Sequence, residues 1–139
     1  MDSEILLKSL IFMAEGLAGT IGENGARAII RQSGSRAAAN FLEAIPLKVE
    51  LADAIQRACT VMEELGFAKQ VKLIDEKHLS VQFNVVSDTL KAMGQSAERH
   101  PAVYYVIGLF EGFVQVISEG RTKVLNHEIN DQGEIWILE

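Results

Sequence analysis

The sequence predicts an α+β fold in which a helical layer packs on one face of a roughly four-stranded antiparallel sheet made of two hairpins. Three observations lead to this prediction: three helical segments open the chain, two later segments alternate like hairpins, and a long apolar segment, 100–120, separates the hairpins. With 139 residues, 48% of them hydrophobic, the chain has the size and composition of a single domain spanning 1–139.

The first half of the chain is predicted to form three helices, because apolar residues recur there with helical spacing over 3–18, 23–45 and 49–65. The glycines of GTIGENG separate the first two helices, the tripeptide SGS marks a weak point in the second, and Pro46 ends it. Gly66 is a natural stop for the third helix. That helix has an inner face formed by Leu51, Ile55, Ala58, Cys59 and Met62.

The second half alternates between hairpins and helices. QVKLIDEKHLSVQFNV predicts a first hairpin with one buried face, and RTKVLNHEI, NDQG and EIWILE predict a second one. In the second hairpin His127 shares a strand face with Leu125 and Ile129. SDTLKAMGQSAERH predicts a short polar helix with Ser87 or Asp88 as its N-cap. Proline at position 101 suits the first turn of the long apolar helix.

The long apolar helix is interpreted as a buried central helix, and no membrane span is predicted. A span needs ~20 uniformly apolar residues, whereas Glu111 and Gln115 interrupt this segment. Buried, Glu111 needs a partner such as Arg31, Arg36 or a backbone donor; alternatively it marks the polar end of a pocket. Gly108 and Gly112 share one helix face, and they serve either close packing or space for a ligand.

Charge and cysteine content narrow the class of protein. The net charge is −6, which disfavours binding to the phosphate backbone of nucleic acid. The single cysteine, Cys59, excludes an intramolecular disulfide and a multi-cysteine zinc site, and it suits a reducing compartment. Asp2 and Glu4 stand where a signal peptide would carry basic residues. We therefore expect a cytoplasmic protein.

The order and spacing of several segments resemble a known family. GLAGTIGENGARAIIRQSGSRAAANFLE, then ELGFAKQVKLI, and then HPAVYYVIGLFEGFVQVISEGRTKVLNHEINDQGEIWI are together similar to the vinyl-reductase-type, or hydrocarbon-binding, domain. That family shares its fold with the subunits of the TRAPP vesicle-tethering complex and with haem-based nitric-oxide sensors, the ligand-binding fold of NO signalling and Golgi transport. The match covers nearly the whole chain.

The resemblance implies helices on a four-stranded antiparallel sheet and a hydrophobic pocket between them for a lipid-like or tetrapyrrole-like molecule. It also implies a homodimer formed through the N-terminal helices. The chain departs from the cysteine pattern of many members, because Ala102 and Val103 follow the proline and no cysteine lies near the C-terminus. We therefore predict no metal and no cofactor.

No motif indicates catalysis. His78, His100 and His127 are scattered without metal-binding spacing, and no phosphate loop or dinucleotide fingerprint is present. Two further features have structural explanations. Cys59 is expected to be a buried thiol, with acylation as a minor alternative suggested by TRAPP relatives, and a solvated ion-pair ladder accounts for Glu23, Arg27 and Arg31.

We therefore expect a non-catalytic domain that binds a small hydrophobic ligand as a sensor or carrier. One alternative is a dimeric scaffold or interaction subunit with a filled core, and another is an accessory protein in tetrapyrrole metabolism. The candidate ligand-pocket residues share apolar character or position on the central helix; they are Cys59, Met62, Tyr104, Gly108, Phe110, Glu111, Gly112, Phe113 and Trp136.

Overall fold

The computed structural model of the protein describes residues 3–42, 48–118, 120–130 and 133–139. Within these residues five helices and four strands follow one another: α1 (Ser3–Ile21), α2 (Glu23–Phe41), α3 (Leu51–Glu64), β1 (Ala68–Asp75), β2 (His78–Asn84), α4 (Val85–Ala92), α5 (Val103–Ile117), β3 (Val124–Asn130) and β4 (Gly133–Leu138). The strands form one antiparallel sheet in the order β1-β2-β4-β3. The predicted α+β fold and both predicted hairpins are confirmed.

The helices cover the face of the sheet that carries its large apolar side chains. Leu79, Trp136 and His127 are register partners on β2, β4 and β3, and all three are buried. Ser80 and Ile135, which alternate with them, are only half-buried. Helix α3 packs on β1 and helix α4 packs on β2.

Helix α5 is the centre of the molecule, as predicted from its apolar sequence. Ten of its 15 residues are buried, which is the pattern of a helix enclosed on all sides. Its closest partner is α2, and on the sheet side the ring of Phe110 meets that of Trp136 edge-on at 5.6 Å. In the part of the chain that the structure describes, no helix combines the length and apolarity needed to cross a membrane.

The first two helices differ from the prediction in their ends and continuity. Helix α1 extends to Ile21, three residues beyond the expected end, and Gly22 with φ +88° alone separates it from α2. Helix α2 runs without a break through the SGS tripeptide, because Gly34 packs directly against the backbone of α5 at Tyr105. The predicted end of this helix at Pro46 lies outside the described residues.

The predicted N-cap of the short helix α4 is wrong. The helix begins at Val85, and the side chain of Asn84 caps it by accepting hydrogen bonds from the backbone N–H groups of Val86 (3.0 Å) and Ser87 (3.3 Å). Ser87 lies in the first turn of the helix and is buried, and its hydroxyl donates to Glu134.

Two further expectations at the ends of elements are corrected. Pro101 precedes helix α5, which begins at Val103, and its carbonyl accepts a hydrogen bond from Tyr104. Leu125 does not share the buried face of β3 with His127, because the register shifts between Val124 and Asn126 and leaves the Leu125 side chain 58% exposed. By contrast, the predicted stop at Gly66 is confirmed, with φ +82°.

Candidate functional site

An open groove of about 800 Å³ lies between helix α2, helix α5 and the segment that leads into strand β3. Helix α2 contributes residues spaced by three and four, which places them along one helix face. The groove is lined by Asn24, Arg27, Ala28, Arg31, Gln32, Ser35, Arg99, Tyr104, Glu111, Gln115, Arg121, Thr122, Lys123 and Glu139. It lies outside the core, on the side of the molecule that carries the β3 edge of the sheet.

A bidentate ion pair connects α2, α5 and the start of β3 in the groove. The guanidinium of Arg31 donates from Nε to Oε1 of Glu111 and from Nη2 to Oε2, each at 2.6 Å. Arg31 also donates to the carbonyl of Val124 at 2.6 Å, and Glu111 accepts from the N–H of Val124 at 2.9 Å. The hydrogen bond to Glu111 raises the pKa of Arg31 above its ordinary value despite burial. Both predicted kinds of partner for Glu111, Arg31 and a backbone donor, are thus confirmed.

Arg27 holds the loop before α5 against the same groove. Its Nη1 donates to the carbonyl of Arg99 at 3.0 Å, its Nη2 donates to Asn24 at 2.6 Å, and it lies 3.5 Å from Glu23. Arg99 itself has a left-handed backbone, with φ +58°. The predicted ladder on α2 therefore exists between Glu23 and Arg27 but ends there, because Arg31 turns to helix α5.

Three cationic side chains of the groove have no partner among the residues that the structure describes. Within the described residues, no hydrogen bond or ion pair involves the side-chain nitrogens of Arg99, Arg121 or Lys123. All three residues are exposed. The groove therefore carries a local excess of positive charge in a chain whose net charge is −6.

Two of the candidate pocket residues line this groove. Glu111 lies at the ion pair described above, and Tyr104 is half-buried, with its ring edge-on to His127 at 5.5 Å. Of the other candidates, Gly108 and Gly112 lie at the contact between α5 and α2, and the remaining five are buried in the core. The structure does not bring the nine predicted residues together around the groove, and their role as a set stays a prediction.

Gly108 and Gly112 lie where helices α5 and α2 touch. A Cβ atom at Gly108 would overlap the carbonyl of Arg31, and one at Gly112 would come within 2.5 Å of the carbonyl of Ser35 and 2.7 Å of the Cβ of Ala38. Of the two interpretations of these glycines, the geometry is that of close packing. The missing side chains create room for the backbone of α2.

Four large candidates are core residues. Met62, Phe110, Phe113 and Trp136 are each at most 1% exposed, and Phe110 packs on Trp136. Cys59 is also buried, on the inner face of α3. Burial raises the pKa of the Cys59 thiol to about 12, and the nearby Glu63 carboxylate contributes to the shift. The thiol is therefore neutral at physiological pH, as expected for a structural cysteine.

A buried polar cluster lies beside this core. The carboxylate of Glu134 accepts from the hydroxyl of Ser87 at 2.8 Å and from the indole N–H of Trp136 at 3.2 Å. Nδ1 of His127 lies 3.4 Å from Oε1 of the same carboxylate. The sequence carried a signal for Glu134, since it stands two residues before Trp136 and therefore on the same, inward strand face. Glu134 is nevertheless absent from the predicted site residues.

The cationic character of the groove does not follow from the sequence patterns. The spacing of Arg27 and Arg31 on one helix face indicates only a surface ion-pair ladder. Arg99, Arg121 and Lys123 come from two loops that only the topology brings near α2. Among the residues that the structure describes, no group of three or more histidine, cysteine, aspartate or glutamate side chains is placed to hold a metal ion.

Comparisons with known proteins do not identify the chain. No model of a known protein family matches the sequence, and none of the curated proteins matches it either. The resemblance to the vinyl-reductase-type domain therefore stays a prediction.

Proposed function

We propose that the protein is a non-catalytic domain that binds a small, largely hydrophobic organic molecule in the groove between α2, α5 and the start of β3. The observation that carries this proposal is the groove itself. Its volume of about 800 Å³ falls in the range of roughly 300–1,000 Å³ that is usual for small-molecule sites. Ala28, the ring of Tyr104 and the aliphatic stem of Gln32 offer apolar surface along it.

The proposed ligand belongs to the class expected from the sequence, but its binding site differs from the expected one. The sequence placed the pocket between the helices and the sheet, where Phe110 and Trp136 now fill the space by direct ring contact. The groove between α2, α5 and the segment that leads into β3 offers open volume instead. A sensor or carrier role suits this arrangement because the ligand would touch two helices and the segment entering β3.

The hydrogen bonds of Glu111 make it a structural group of the groove. Its carboxylate accepts from Arg31 and from the backbone N–H of Val124. Both of its oxygens are therefore occupied by the protein, which leaves contact with a ligand to the other side chains that line the groove. We also propose a cytoplasmic location, which rests on the single unpaired thiol of Cys59.

Native mass spectrometry of freshly purified protein tests ligand binding. We expect an excess of a few hundred daltons per chain that disappears on denaturation. Ala28→Trp should remove this excess by filling the groove, whereas Ala39→Trp, an exposed site on the same helix outside the groove, should retain it. A bare native mass, or equal excess in both variants, would contradict binding in the groove.

A second candidate function, as a homodimeric scaffold, is favoured by the surface of helix α1. Ile5, Leu6, Phe12 and Met13 are between 54% and 69% exposed. Their spacing of seven places Ile5 with Phe12 and Leu6 with Met13 along one side of the helix. Contiguous exposed apolar surface of this kind is typical of protein–protein interfaces. We propose that a second copy of the chain covers it, in line with the expected homodimer.

Sedimentation equilibrium tests the dimer. We expect twice the 15.3 kDa of one chain, and we expect Phe12→Ser/Met13→Ser to give the monomer mass. Ile74→Ser/Leu125→Ser removes two side chains with similar exposure, 57% and 58%, from the sheet, and it should leave the dimer intact. A monomeric parent protein would contradict the scaffold role without affecting the groove.

A further inference from the structure

We propose that the ligand of the groove is an amphipathic acid, a small molecule with an apolar body and a carboxylate or phosphate group that Arg99, Arg121 and Lys123 bind. This inference rests on the proposed function, since it names the chemistry of the ligand in the same groove. It adds an anionic head group to the small hydrophobic ligand that the sequence led us to expect.

The distribution of charge in the chain supports an anionic ligand. The whole chain has 13 Lys and Arg residues and 19 Asp and Glu residues. Among the described residues, the lining of the groove holds five cationic side chains and two acidic ones, Glu111 and Glu139. A lining that reverses the sign of the net charge concentrates anions locally and repels cations.

The hydrogen bonds within the groove determine which cations are available to a ligand. Arg31 is neutralised by Glu111, and Arg27 is engaged by Glu23, Asn24 and the loop carbonyl at position 99. These two arginines act as structural groups that hold the walls together. Arg99, Arg121 and Lys123 keep all their side-chain donors unused within the described residues. Guanidinium and ammonium groups of this kind bind carboxylate and phosphate oxygens through charge-assisted hydrogen bonds.

The backbone around these cations is held in place by the structural arginines. Arg27 binds the carbonyl of Arg99, whose backbone is left-handed at φ +58°. Arg31 and Glu111 bind both backbone polar groups of Val124, directly after Lys123. The stems of Arg99 and Lys123 therefore start from backbone that hydrogen bonds hold in place, beside Arg121 in the lining of the same groove.

A small molecule fits this groove better than a polyanion does. Among the described residues outside the lining of the groove, acidic side chains outnumber cationic ones by 13 to 8, and that surface repels an extended phosphate backbone. The apolar surface of Tyr104 and Ala28 beside the cations accommodates a hydrocarbon or aromatic body. Both features point to a discrete acid with a short apolar portion.

Isothermal titration calorimetry with two pairs of probes tests the inference: decanoate against decanamide, and 2-naphthoate against 2-naphthamide. Within each pair only the charge of the head group differs substantially. We expect at least one acid to bind about tenfold more tightly than its amide, the effect of a charge-assisted hydrogen bond to a partly exposed cation. The preference should decrease as sodium chloride is added, because salt screens exposed charges.

Two double variants that remove the same charge locate the effect. Arg121→Gln/Lys123→Gln should reduce the preference for the acid to within about twofold, the loss expected when those hydrogen bonds are removed. Lys72→Gln/Lys77→Gln removes two exposed charges near β1, at the opposite edge of the sheet, and should leave the preference unchanged. If both double variants lose the preference for the acid equally, the preference depends on the net charge of the protein alone, and the inference is wrong.

The remaining outcomes separate this inference from the proposed function. If acid and amide bind equally tightly, the ligand does not need an anionic head group and this inference is wrong. The proposal that the groove binds a small molecule is then unaffected. If neither pair of probes binds at millimolar concentration, the inference is wrong. If native mass spectrometry of the same preparation also shows no bound molecule, the proposed function is wrong as well. Binding to vesicles of phosphatidylcholine and phosphatidylserine, or to a single-stranded oligonucleotide, in place of the free acids would likewise overturn the small-molecule inference.

Discussion

Arg31 on α2 and Glu111 on α5 form an ion pair whose two members also bind the N–H and C=O of Val124, at the start of β3. The pair thus connects two helices to the segment that leads into the sheet. Its side chains are only 23% and 13% exposed, so water screens their attraction less than that of a surface pair. The pair forms one wall of the groove, and the stability of the groove depends on it.

Arg31→Met should lower the free energy of unfolding by about 2–3 kcal/mol, because it leaves the Glu111 carboxylate partly buried without its cation. Urea unfolding followed by the fluorescence of Trp136, the single tryptophan, measures the change. Arg36→Gln replaces an exposed arginine on the same helix and should change stability by less than about 0.5 kcal/mol. Equal effects of the two substitutions would show that the ion pair contributes little.

Gly108→Ala should destabilise the protein by about 3 kcal/mol or more, as a new Cβ would overlap the carbonyl of Arg31 and force α2 and α5 apart. Gly16→Ala is the matched control, since nothing lies within 4 Å of the Cβ position in helix α1. Alanine there should stabilise the helix by up to about 1 kcal/mol. Thermal unfolding should show a lower melting temperature for Gly108→Ala and a slightly higher one for Gly16→Ala. An unchanged melting temperature in Gly108→Ala would contradict the close approach of the two helices.

Cys59 should react with iodoacetamide at least about a hundredfold more slowly in the native protein than in denaturant at the same pH. Burial raises the pKa of its thiol to about 12, and only the thiolate is nucleophilic. Mass spectrometry over a time course measures the two rates. Rapid modification of the native protein would contradict a closed core around α3 and would restore acylation of this cysteine as a candidate.

Local sequence patterns predicted the fold well, whereas the N-cap of α4 depends on a contact with a residue far away in the sequence. Asn84, Ser87 and Asp88 are all good N-cap residues in sequence. The structure selects Asn84 because the Ser87 hydroxyl is buried against Glu134, and that partner lies 47 residues away. By contrast, the alternation of β1, β2 and β4 and the apolar character of α5 are local properties, so the sequence alone revealed them.

The groove could be predicted only in part, for the same reason. The need of Glu111 for a partner, and Arg31 as one of three candidates, followed from the cost of burying a charge. That Arg99, Arg121 and Lys123 gather at one site depends on how α5 is placed against α2 and on the path of the chain into β3. No periodicity in the sequence records that arrangement, because the three residues lie in loops.

His100 should make the stability of the protein decrease in mild acid. Its Nδ1 accepts a hydrogen bond from the N–H of Ala102 at 3.1 Å, and its Nε2 lies 3.8 Å from Glu15. Burial lowers the pKa of His100 below the ordinary value of 6.5, against the opposing effect of Glu15. The unfolded chain therefore takes up the proton first as the pH falls. The contribution of His100 is complete above pH 6.5 and is lost as the pH falls through the lower pKa of the folded state.

His100→Asn tests this dependence, since an asparagine oxygen can accept from the same N–H but does not titrate. We expect the free energy of unfolding, measured by urea titration between about pH 7 and pH 5, the range in which histidines titrate, to fall less steeply in His100→Asn than in the parent. His78→Asn, in the exposed turn of the first hairpin beside Asp75, should retain the steeper fall. Parallel curves for the parent and His100→Asn would mean that protonation of His100 does not control the acid sensitivity. A steeper curve for His100→Asn would reverse the sign assigned to its buried ring.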